Sequence, residues 1–331
     1  MVDLSIQESA GEIKVEEVWF DAADGAKIFL WRWIPQGEAR AVLHIIHGMA
    51  EHGFRYDRFA RRLCAKGIEV WAADQRGHGR TADLTVNNPS RGGILGHCGD
   101  PDGISPVQRD IHGINLRIKA LHPEIPLFLF GHSWGSFLVQ YYIEEHSQSI
   151  AGCVLSGTRG PGGIKITLGA PVMALIAALR GSRKGSALSH AITGGSYNKP
   201  FKPNRTFFDW LSRDEKAVDA YVGDPLCGML CSSGFYRDMI AMLNRIHRPE
   251  LMGAIRKDLP VYVFAGNCDP VGDMGKSPTA LVEAYRSLEI RDLEFVLYPG
   301  ARHETLNETN REEVIEDCAA WLAKHIENIM S

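Results

Sequence analysis

Residues 126–142 of this chain read PLFLFGHSWGSFLVQYY, and they are the clearest guide to its architecture. The first five are typical of a short buried strand, and the last six are typical of a helix. Between them, Ser133 has Gly131 and Gly135 two positions away on either side. A serine that attacks a carbonyl group must hold its hydroxyl clear of the sheet, on a turn too tight for larger neighbours. The stretch therefore predicts a strand, a sharp turn bearing a nucleophilic serine, and a helix.

Further apolar runs predict a parallel sheet. A hairpin is expected first, with its turn at Asp24-Gly25. The later runs lie at 41–46, 68–73, 126–130, 151–155, 260–265 and 293–297. They are continuous rather than alternating, which suits strands covered on both faces. Helices are predicted at 56–66, 106–121, 134–145 and 311–330. Together these elements predict an α/β fold, specifically an α/β-hydrolase fold with a mostly parallel central sheet flanked by helices.

One long segment breaks the alternation of strands and helices. Residues 158–259 contain no good strand pattern, so we predict a core of 1–157 and 260–331 with 158–259 inserted as a helical cap, or lid. An insertion after a strand end lies over the edge where such sheets bind ligands. Residues 161–179 of this segment are almost wholly apolar.

The apolar part of the predicted cap has three interpretations. In the first it lines an apolar tunnel for a hydrophobic substrate, in the second it forms the core of the cap itself, and in the third it docks on a membrane surface. The third interpretation rests on Arg180, Arg183 and Lys184, because basic residues beside an apolar helix are typical of helices that lie on membranes.

Composition excludes some classes of function. The chain has 331 residues, a formal net charge of −4 and no long run of one sign, so nothing favours nucleic acid as a partner. Residues 1–14 lack the basic and apolar regions of a secretion signal, and there is no run of about 18 apolar residues. We therefore expect a cytoplasmic protein, with peripheral membrane association as the alternative raised by the cap.

The cysteines do not predict a metal site. There are seven, an odd number, and they are scattered. Cys227 and Cys231 resemble half of a metal-binding motif, but no second pair or histidine cluster at ligand spacing accompanies them. We expect free thiols, no bound metal and no cofactor. The chain also lacks the glycine-rich patterns that bind nucleotides after a first strand.

Two residues at later strand ends complete a catalytic set with Ser133. A serine needs a histidine to remove its proton, and a carboxylate normally orients that histidine. In α/β hydrolases the order along the chain is serine, acid, histidine. Asp269 follows the run at 260–265, and His303 follows the run at 293–297. Asp273 is the alternative acid. If these strands are parallel, Ser133, Asp269 and His303 project from one edge of the sheet.

The attack also creates an oxyanion, which needs two backbone N–H donors already aimed at it. One comes from the residue after the nucleophile, here Trp134. The other comes from the loop after an early strand, where Gly48 lets the backbone turn and Met49 presents its N–H. Both residues act through the backbone.

Two motifs carry a resemblance to a known family. Residues 47–56, HGMAEHGFRY, resemble the HGxxEHxxRY segment of the monoglyceride lipase and lysophospholipase group of α/β hydrolases, which are serine aminopeptidase-like enzymes. Residues 74–81, DQRGHGRT, resemble the DxRGHGxS segment of that group. Residues 210–214 and 224–226 resemble its cap, and the similarity runs in order from about residue 16 to 325.

The resemblance implies the same catalytic residues, Ser133, Asp269 and His303, with Met49 and Trp134 at the oxyanion. It implies hydrolysis of esters with a single acyl chain, under a helical cap. The group usually has methionine in place of Trp134, and this bulkier side chain is expected to reshape the leaving-group side. Glu51 and Arg55 are expected to pair and to brace the oxyanion loop.

The leading hypothesis is a cofactor-free serine carboxylester hydrolase acting on monoacylglycerols or lysophospholipids. Its expected partner is a small ester that carries an apolar acyl chain. A short-chain esterase and a peptidase or amidase are alternatives with the same catalytic residues. A ligand-binding receptor on a hydrolase fold is an alternative from another class. Such receptors usually lack the serine or the histidine, and this chain has both.

Overall fold

The computed structural model describes residues 13–86 and 94–331. Most of the N-terminal stretch considered above, residues 1–12, lies outside the described residues. In the described part, the strands are β1 Lys14–Asp21, β2 Lys27–Ile34, β3 Ala41–Ile46, β4 Ile68–Ala73, β5 Leu127–His132, β6 Gly152–Ser156, β7 Val261–Gly266 and β8 Leu293–Tyr298.

These strands form one sheet in the order β1-β2-β4-β3-β5-β6-β7-β8. The pairs β1–β2 and β2–β4 are antiparallel, and the pairs from β4 to β8 are parallel. Every residue of β3 to β7 is buried, as the continuous apolar runs predict. The predicted hairpin and the mostly parallel sheet are confirmed.

The helices are α1 Asp57–Cys64, α2 Gly79–Val86, α3 Ile104–Leu121, α4 Trp134–His146, α5 Gly163–Arg180, α6 Ala187–Thr193, α7 Glu215–Gly223, α8 Ser233–Arg245, α9 Pro249–Met252, α10 Lys276–Ser287 and α11 Arg311–Met330. The sequence patterns predict α1, α3, α4 and α11 to within a few residues but miss α2 and α10. In α10, Pro278 obscures the helical pattern, although a helix tolerates proline in its first turn because the N–H groups there have no partner within the helix.

Helices cover both faces of the sheet. Buried side chains of α3, α4 and α10 pack on one face, and those of α1 and α11 pack on the other. The core therefore consists of two apolar layers on either side of the sheet, and this arrangement confirms the predicted α/β class.

Helices α5 to α9 all lie between β6 and β7, and the described residues 158–259 contribute no strand to the sheet. The division into a core and a cap stays a prediction. In the described part of the chain, no helix combines the length and apolarity needed to cross a bilayer.

The strand order fixes where a ligand can bind. From β3 the chain passes to β4 on one side and returns to β5 on the other, and Ile46 of β3 pairs with Gly131 of β5. Such a reversal leaves a crevice at the carboxyl ends of the two strands. Met49 follows β3 and Ser133 follows β5, so both lie at this crevice.

Candidate active site

Ser133 lies at the turn between β5 and α4. Its φ of 53° is in the left-handed region, which is strained for a residue with a side chain. A Cβ atom on Gly135 would overlap the carbonyl oxygen of Ile46, and one on Gly131 would lie 2.6 Å from the carbonyl oxygen of Gly135. The turn therefore requires both glycines. The N–H of Ser133 donates to the carbonyl of Ser156 at 2.9 Å, which ties the turn to β6.

His303 and Asp269 form a buried pair next to this turn. The Nδ1 atom of His303 lies 2.9 Å from Oδ2 of Asp269, and both side chains are almost wholly buried. The other oxygen, Oδ1, accepts the N–H of Val271 at 2.8 Å. Because a carboxylate accepts, Nδ1 carries the proton and Nε2 keeps a free lone pair. Asp273 is exposed, so the structure brings Asp269, not Asp273, to His303.

The charge of Asp269 dominates the titration of His303. Burial by itself would lower the pKa of His303, but the Asp269 carboxylate and its hydrogen bond raise this pKa above the ordinary value of 6.5. His132 lies 4.8 Å away, ring centre to ring centre, without a carboxylate partner. Burial lowers the pKa of His132 to about 4. Of the two neighbouring imidazoles, only His303 is set to exchange a proton near neutral pH.

The predicted oxyanion donors lie close to Ser133. Trp134 begins α4 directly after the serine, where helix N–H groups have no partner within the helix. On the other side, a Cβ atom on Gly48 would lie 3.2 Å from Cβ of Ser133, so the loop that carries Met49 packs against the serine. Within the described residues, neither the Met49 nor the Trp134 N–H donates a hydrogen bond to a protein acceptor.

Two side chains hold the backbone of Gly48, one on each of its peptide groups. The Nδ1–H of His47 donates to the Gly48 carbonyl at 2.7 Å, and Nε2 of His47 accepts the N–H of Gln75 at 2.9 Å, which fixes the tautomer. The N–H of Gly48 donates to Oε1 of Glu51 at 2.5 Å. Because C=O and N–H point in opposite directions across a trans peptide, holding the Gly48 carbonyl also fixes the direction of the Met49 N–H.

A buried ionic network extends from this loop to His303. Arg55 donates to Glu51 at 2.5 Å and, through two nitrogens, to both oxygens of Glu304 at 2.7 Å. Burial alone would raise the pKa values of both acids, but Arg55 lowers them, so both are ionised. The contact predicted between Glu51 and Arg55 is present. Sequence reasoning missed Glu304, although its position directly after His303 was an available signal.

Two cavities meet at Ser133. The smaller, of about 110 Å³, is lined by both Ser133 and His303 and by the polar side chains of Glu51 and Glu304. The larger, of about 260 Å³, is lined by Ser133 but not by His303, and most of its walls are apolar. Met173 of α5 and Ile240 of α8 are among those walls.

Trp134 lines the larger cavity and not the smaller one. Its ring stacks on His78, with centres 5.3 Å apart, and packs against Phe235 at 5.0 Å. The side chain therefore lies on the side of Ser133 away from His303.

The segment between β6 and β7 contacts the loop of His303 directly. The ring of Trp210 lies 5.1 Å from that of His303, and the Leu211 carbonyl accepts the N–H of Glu304 at 2.8 Å. Arg213 pairs with the fully buried Glu308 at 2.9 Å. Residues 210–214, which resemble a family motif, thus anchor this segment over the site.

The described residues include one group of three side chains that could hold a metal ion, His52, Asp224 and Cys227. His52 and Asp224 already share a 2.8 Å hydrogen bond, and burial raises the pKa of the Cys227 thiol, which keeps it protonated. Cys231 is not part of the group, and burial raises its pKa to about 12. These groups satisfy one another, and none has a feature that indicates a bound metal.

An eight-stranded α/β-hydrolase sheet with a strained serine after β5 and a histidine–aspartate pair beyond β8 and β7 is typical of the serine hydrolases. The chain belongs to the family described as serine aminopeptidase, S33, whose profile matches residues 37–310. This membership confirms the predicted superfamily and the prediction of a hydrolytic enzyme.

Individual relatives show which group within this family the chain is similar to. The chain is 29% identical to the monoacylglycerol lipase of Mycolicibacterium smegmatis, over 93% of this chain and 96% of the relative. It is 26% identical to the monoglyceride lipase of Mus musculus, over 92% and 89% of the two chains. Among solved structures, a thermostable carboxyl esterase from Bacillus coagulans in complex with glycerol superposes with a TM-score of 0.86 at 25% identity, over 95% of this chain and 100% of that one. The monoglyceride lipase-like group predicted from the motifs is confirmed.

Proposed function

We propose that the chain is a serine carboxylester hydrolase that cleaves lipid esters with a single acyl chain, monoacylglycerols or lysophospholipids. The observation that carries this proposal is that His303, paired with the buried Asp269, lines one cavity together with Ser133. The names and coverage of the relatives support the ester bond and the single acyl chain.

The reaction follows from the protonation states of the site. Nε2 of His303 takes the proton of the Ser133 hydroxyl as its oxygen attacks the ester carbonyl. The N–H groups of Met49 and Trp134 stabilise the oxyanion. His303 then gives the proton to the leaving alcohol, and an acyl–Ser133 ester remains. A water molecule, deprotonated by His303, hydrolyses this ester and releases the fatty acid. The proposed reaction needs no metal or cofactor.

The two cavities suggest where the alcohol and the acyl part of the substrate bind. The leaving oxygen must receive its proton from His303, so the alcohol occupies the smaller cavity, which His303 lines. The acyl chain then occupies the larger, mostly apolar cavity. Because Trp134 lines the larger cavity, it shapes the acyl side, whereas the sequence analysis placed its effect on the leaving-group side.

Paired carboxylates argue against the peptidase alternative. An aminopeptidase needs an unpaired acidic group for the free amine of its substrate. The acids of the smaller cavity, Glu51 and Glu304, are both bound to Arg55. The receptor alternative is disfavoured because a non-catalytic site gains nothing from a strained serine beside a buried imidazole.

Fatty-acid release from a monoacylglycerol tests the proposed function. We expect release to be rapid, with a short nitrophenyl ester also cleaved and alanine para-nitroanilide left intact. Cleavage of the short ester without release from monoacylglycerol would identify a short-chain esterase instead. Cleavage of the anilide would favour the peptidase alternative, and no cleavage of any substrate would favour the receptor.

We further propose that α5 docks on lipid surfaces. Leu168, Val172, Leu175 and Leu179 are all exposed, and their spacing places them along one face of the helix. The opposite face contributes Met173 to the larger cavity. Arg180 ends the helix and Lys184 follows it, and both are exposed, which suits anionic headgroups. A lipid ester leaving the bilayer would therefore meet the entrance to the acyl site.

Replacing two of these leucines should weaken membrane binding. We expect Leu175→Glu with Leu179→Glu to reduce co-flotation with vesicles containing anionic lipid, while hydrolysis of a soluble short ester stays unchanged. Leu116→Glu is the matched control, because Leu116 is similarly exposed but lies on α3. Equal flotation of all three proteins would exclude α5 as the docking surface.

A further inference from the structure

Arg159 is a cation without a partner in the wall of the larger cavity. It lies three residues after β6 and lines this cavity together with Ser133 and mostly apolar side chains. Its Nε atom is buried and makes no hydrogen bond, and its guanidinium forms no ion pair within the described part of the chain.

Several other partly buried arginines among the described residues have carboxylate partners. Arg55 pairs with Glu51 and Glu304, Arg76 pairs with Asp110, and Arg245 pairs with Glu144. Arg302, also partly buried, instead donates to the backbone carbonyls of Asp209 and Ser212. Arg159 is only partly buried, but its Nε atom has lost contact with water without gaining an acceptor, which is unfavourable. Within the described residues, the side chain of Arg159 has neither kind of acceptor, and it lines the cavity where we place the acyl part of the substrate.

A second donor faces the same cavity. Tyr197 also lines it, packs its ring on Trp210 at 5.0 Å, and makes no hydrogen bond through its hydroxyl within the described residues. Burial raises the pKa of Tyr197, and the nearby charge of Arg159 opposes that rise. The hydroxyl is therefore protonated at neutral pH and close to the guanidinium. A single acceptor bound in this cavity would satisfy both donors.

The backbone holds Arg159 in place. Its carbonyl accepts Nε2 of Gln140 at 3.0 Å, and the next N–H, that of Gly160, donates to Oγ of Ser277 at 3.1 Å. The oxygen of Gln140 in turn lies 3.2 Å from Nε2 of His247. Because these bonds fix the main chain at the end of the sheet, the side chain projects from a rigid base, as recognition of a charged group requires.

We infer that the larger cavity binds esters whose acyl part carries a free carboxylate, and that Arg159 is the residue that recognises this group, with the Tyr197 hydroxyl as a second donor. A planar guanidinium suits a carboxylate because it offers two parallel N–H groups. This inference rests on the proposed ester hydrolysis at Ser133 and adds half-esters of dicarboxylic acids to the esters that the site accepts.

The test compares matched pairs of methyl esters. Monomethyl succinate, adipate and suberate carry a terminal carboxylate where methyl butyrate, hexanoate and octanoate carry a methyl group. For the best-fitting half-ester, we expect Arg159→Met to reduce kcat/KM by about 10- to 100-fold, a typical loss for a charged hydrogen bond. The Arg159→Met variant should cleave the matched neutral ester as fast as the unmodified enzyme does, or faster. Arg159→Lys should restore part of the activity on the half-ester, since it keeps the charge but not the planar pair of donors.

A measurement on the unmodified enzyme tests the same inference without depending on whether a variant folds. Free suberate should inhibit hydrolysis of methyl octanoate more strongly than free octanoate does, and added salt should weaken this difference. The inference would be overturned if Arg159→Met lowered kcat/KM equally for both members of every pair of esters. Stronger inhibition by octanoate than by suberate would also overturn it. These results differ from failure of the proposed function, in which the unmodified enzyme would cleave neither type of ester.

Discussion

Replacing Ser133 with alanine should abolish ester hydrolysis, with a fall in kcat on the order of 10⁶-fold, as for other nucleophilic serines. Ser133 carries the hydroxyl that we propose as the nucleophile, on a strained turn with φ 53°, and it lines the same cavity as His303. The measurement is fatty-acid release from a monoacylglycerol together with labelling by a fluorophosphonate. The unmodified enzyme should gain one label, and the variant should gain none.

Ser287→Ala is the control for this substitution. Ser287 ends α10 on the surface and bonds only to the Glu283 carbonyl, so its loss should change neither activity nor labelling. The two variants should have similar melting temperatures, which would show that lost activity is not lost folding. A Ser133→Ala protein that keeps more than about 1% of the activity would rule out Ser133 as the nucleophile, since a missing nucleophile costs far more than this.

Asp269→Asn should give the second-largest effect, a fall in kcat of about 10⁴-fold, because an amide no longer selects the Nδ1–H tautomer of the histidine. The substitution should also move the pH profile. In the unmodified enzyme His303 must be neutral to act as a base, so kcat/KM should rise with pH, with its midpoint above 6.5 because Asp269 raises the pKa.

In the Asp269→Asn variant, the residual activity should still increase with pH, but this increase should occur over a lower pH range than in the unmodified enzyme. Without the carboxylate, burial dominates, as it does at His132, where the pKa falls to about 4. The midpoint should therefore shift downward. An upward shift, or a profile flat from about pH 5 to 8 in the unmodified enzyme, would contradict the role of His303 as the base.

Asp273→Asn is the matched control for this prediction. Asp273 lies four residues further on, is exposed, and has a φ of 50°, which asparagine tolerates. We expect both the rate and the pH midpoint to stay unchanged. The pair of variants also decides between the two acids that the sequence leaves open.

Much of the architecture could be predicted because it depends on local patterns. The glycines on either side of Ser133 indicate a turn whose backbone leaves no space for a Cβ atom. This requirement can be recognised from a sequence of only five residues. The continuous apolar runs report strands covered on both faces, and β3 and β4 match their predicted limits. Helix α10 was missed because Pro278 interrupts the pattern by which a helix is recognised.

The candidate site was predictable only where order along the chain implies position in space. Parallel strands end at the same edge, so residues following β5, β7 and β8 could be expected to meet. The acid was left open between Asp269 and Asp273, since four residues of loop cannot be placed without coordinates. The Arg55–Glu304 contact joins residues 249 positions apart, so the position of Glu304 after His303 marks it as a candidate but does not reveal its partner.

The sequence by itself therefore determined the sheet, the turn at Ser133 and the identity of the nucleophile and histidine candidates, because backbone sterics and burial act within short segments. The tertiary structure alone decided which acid meets His303, which residues brace the loop of Met49, and which charges have no partner. Arg159 illustrates the reason. Whether a buried charge is paired depends on side chains from distant segments, and such contacts exist only once the chain has folded.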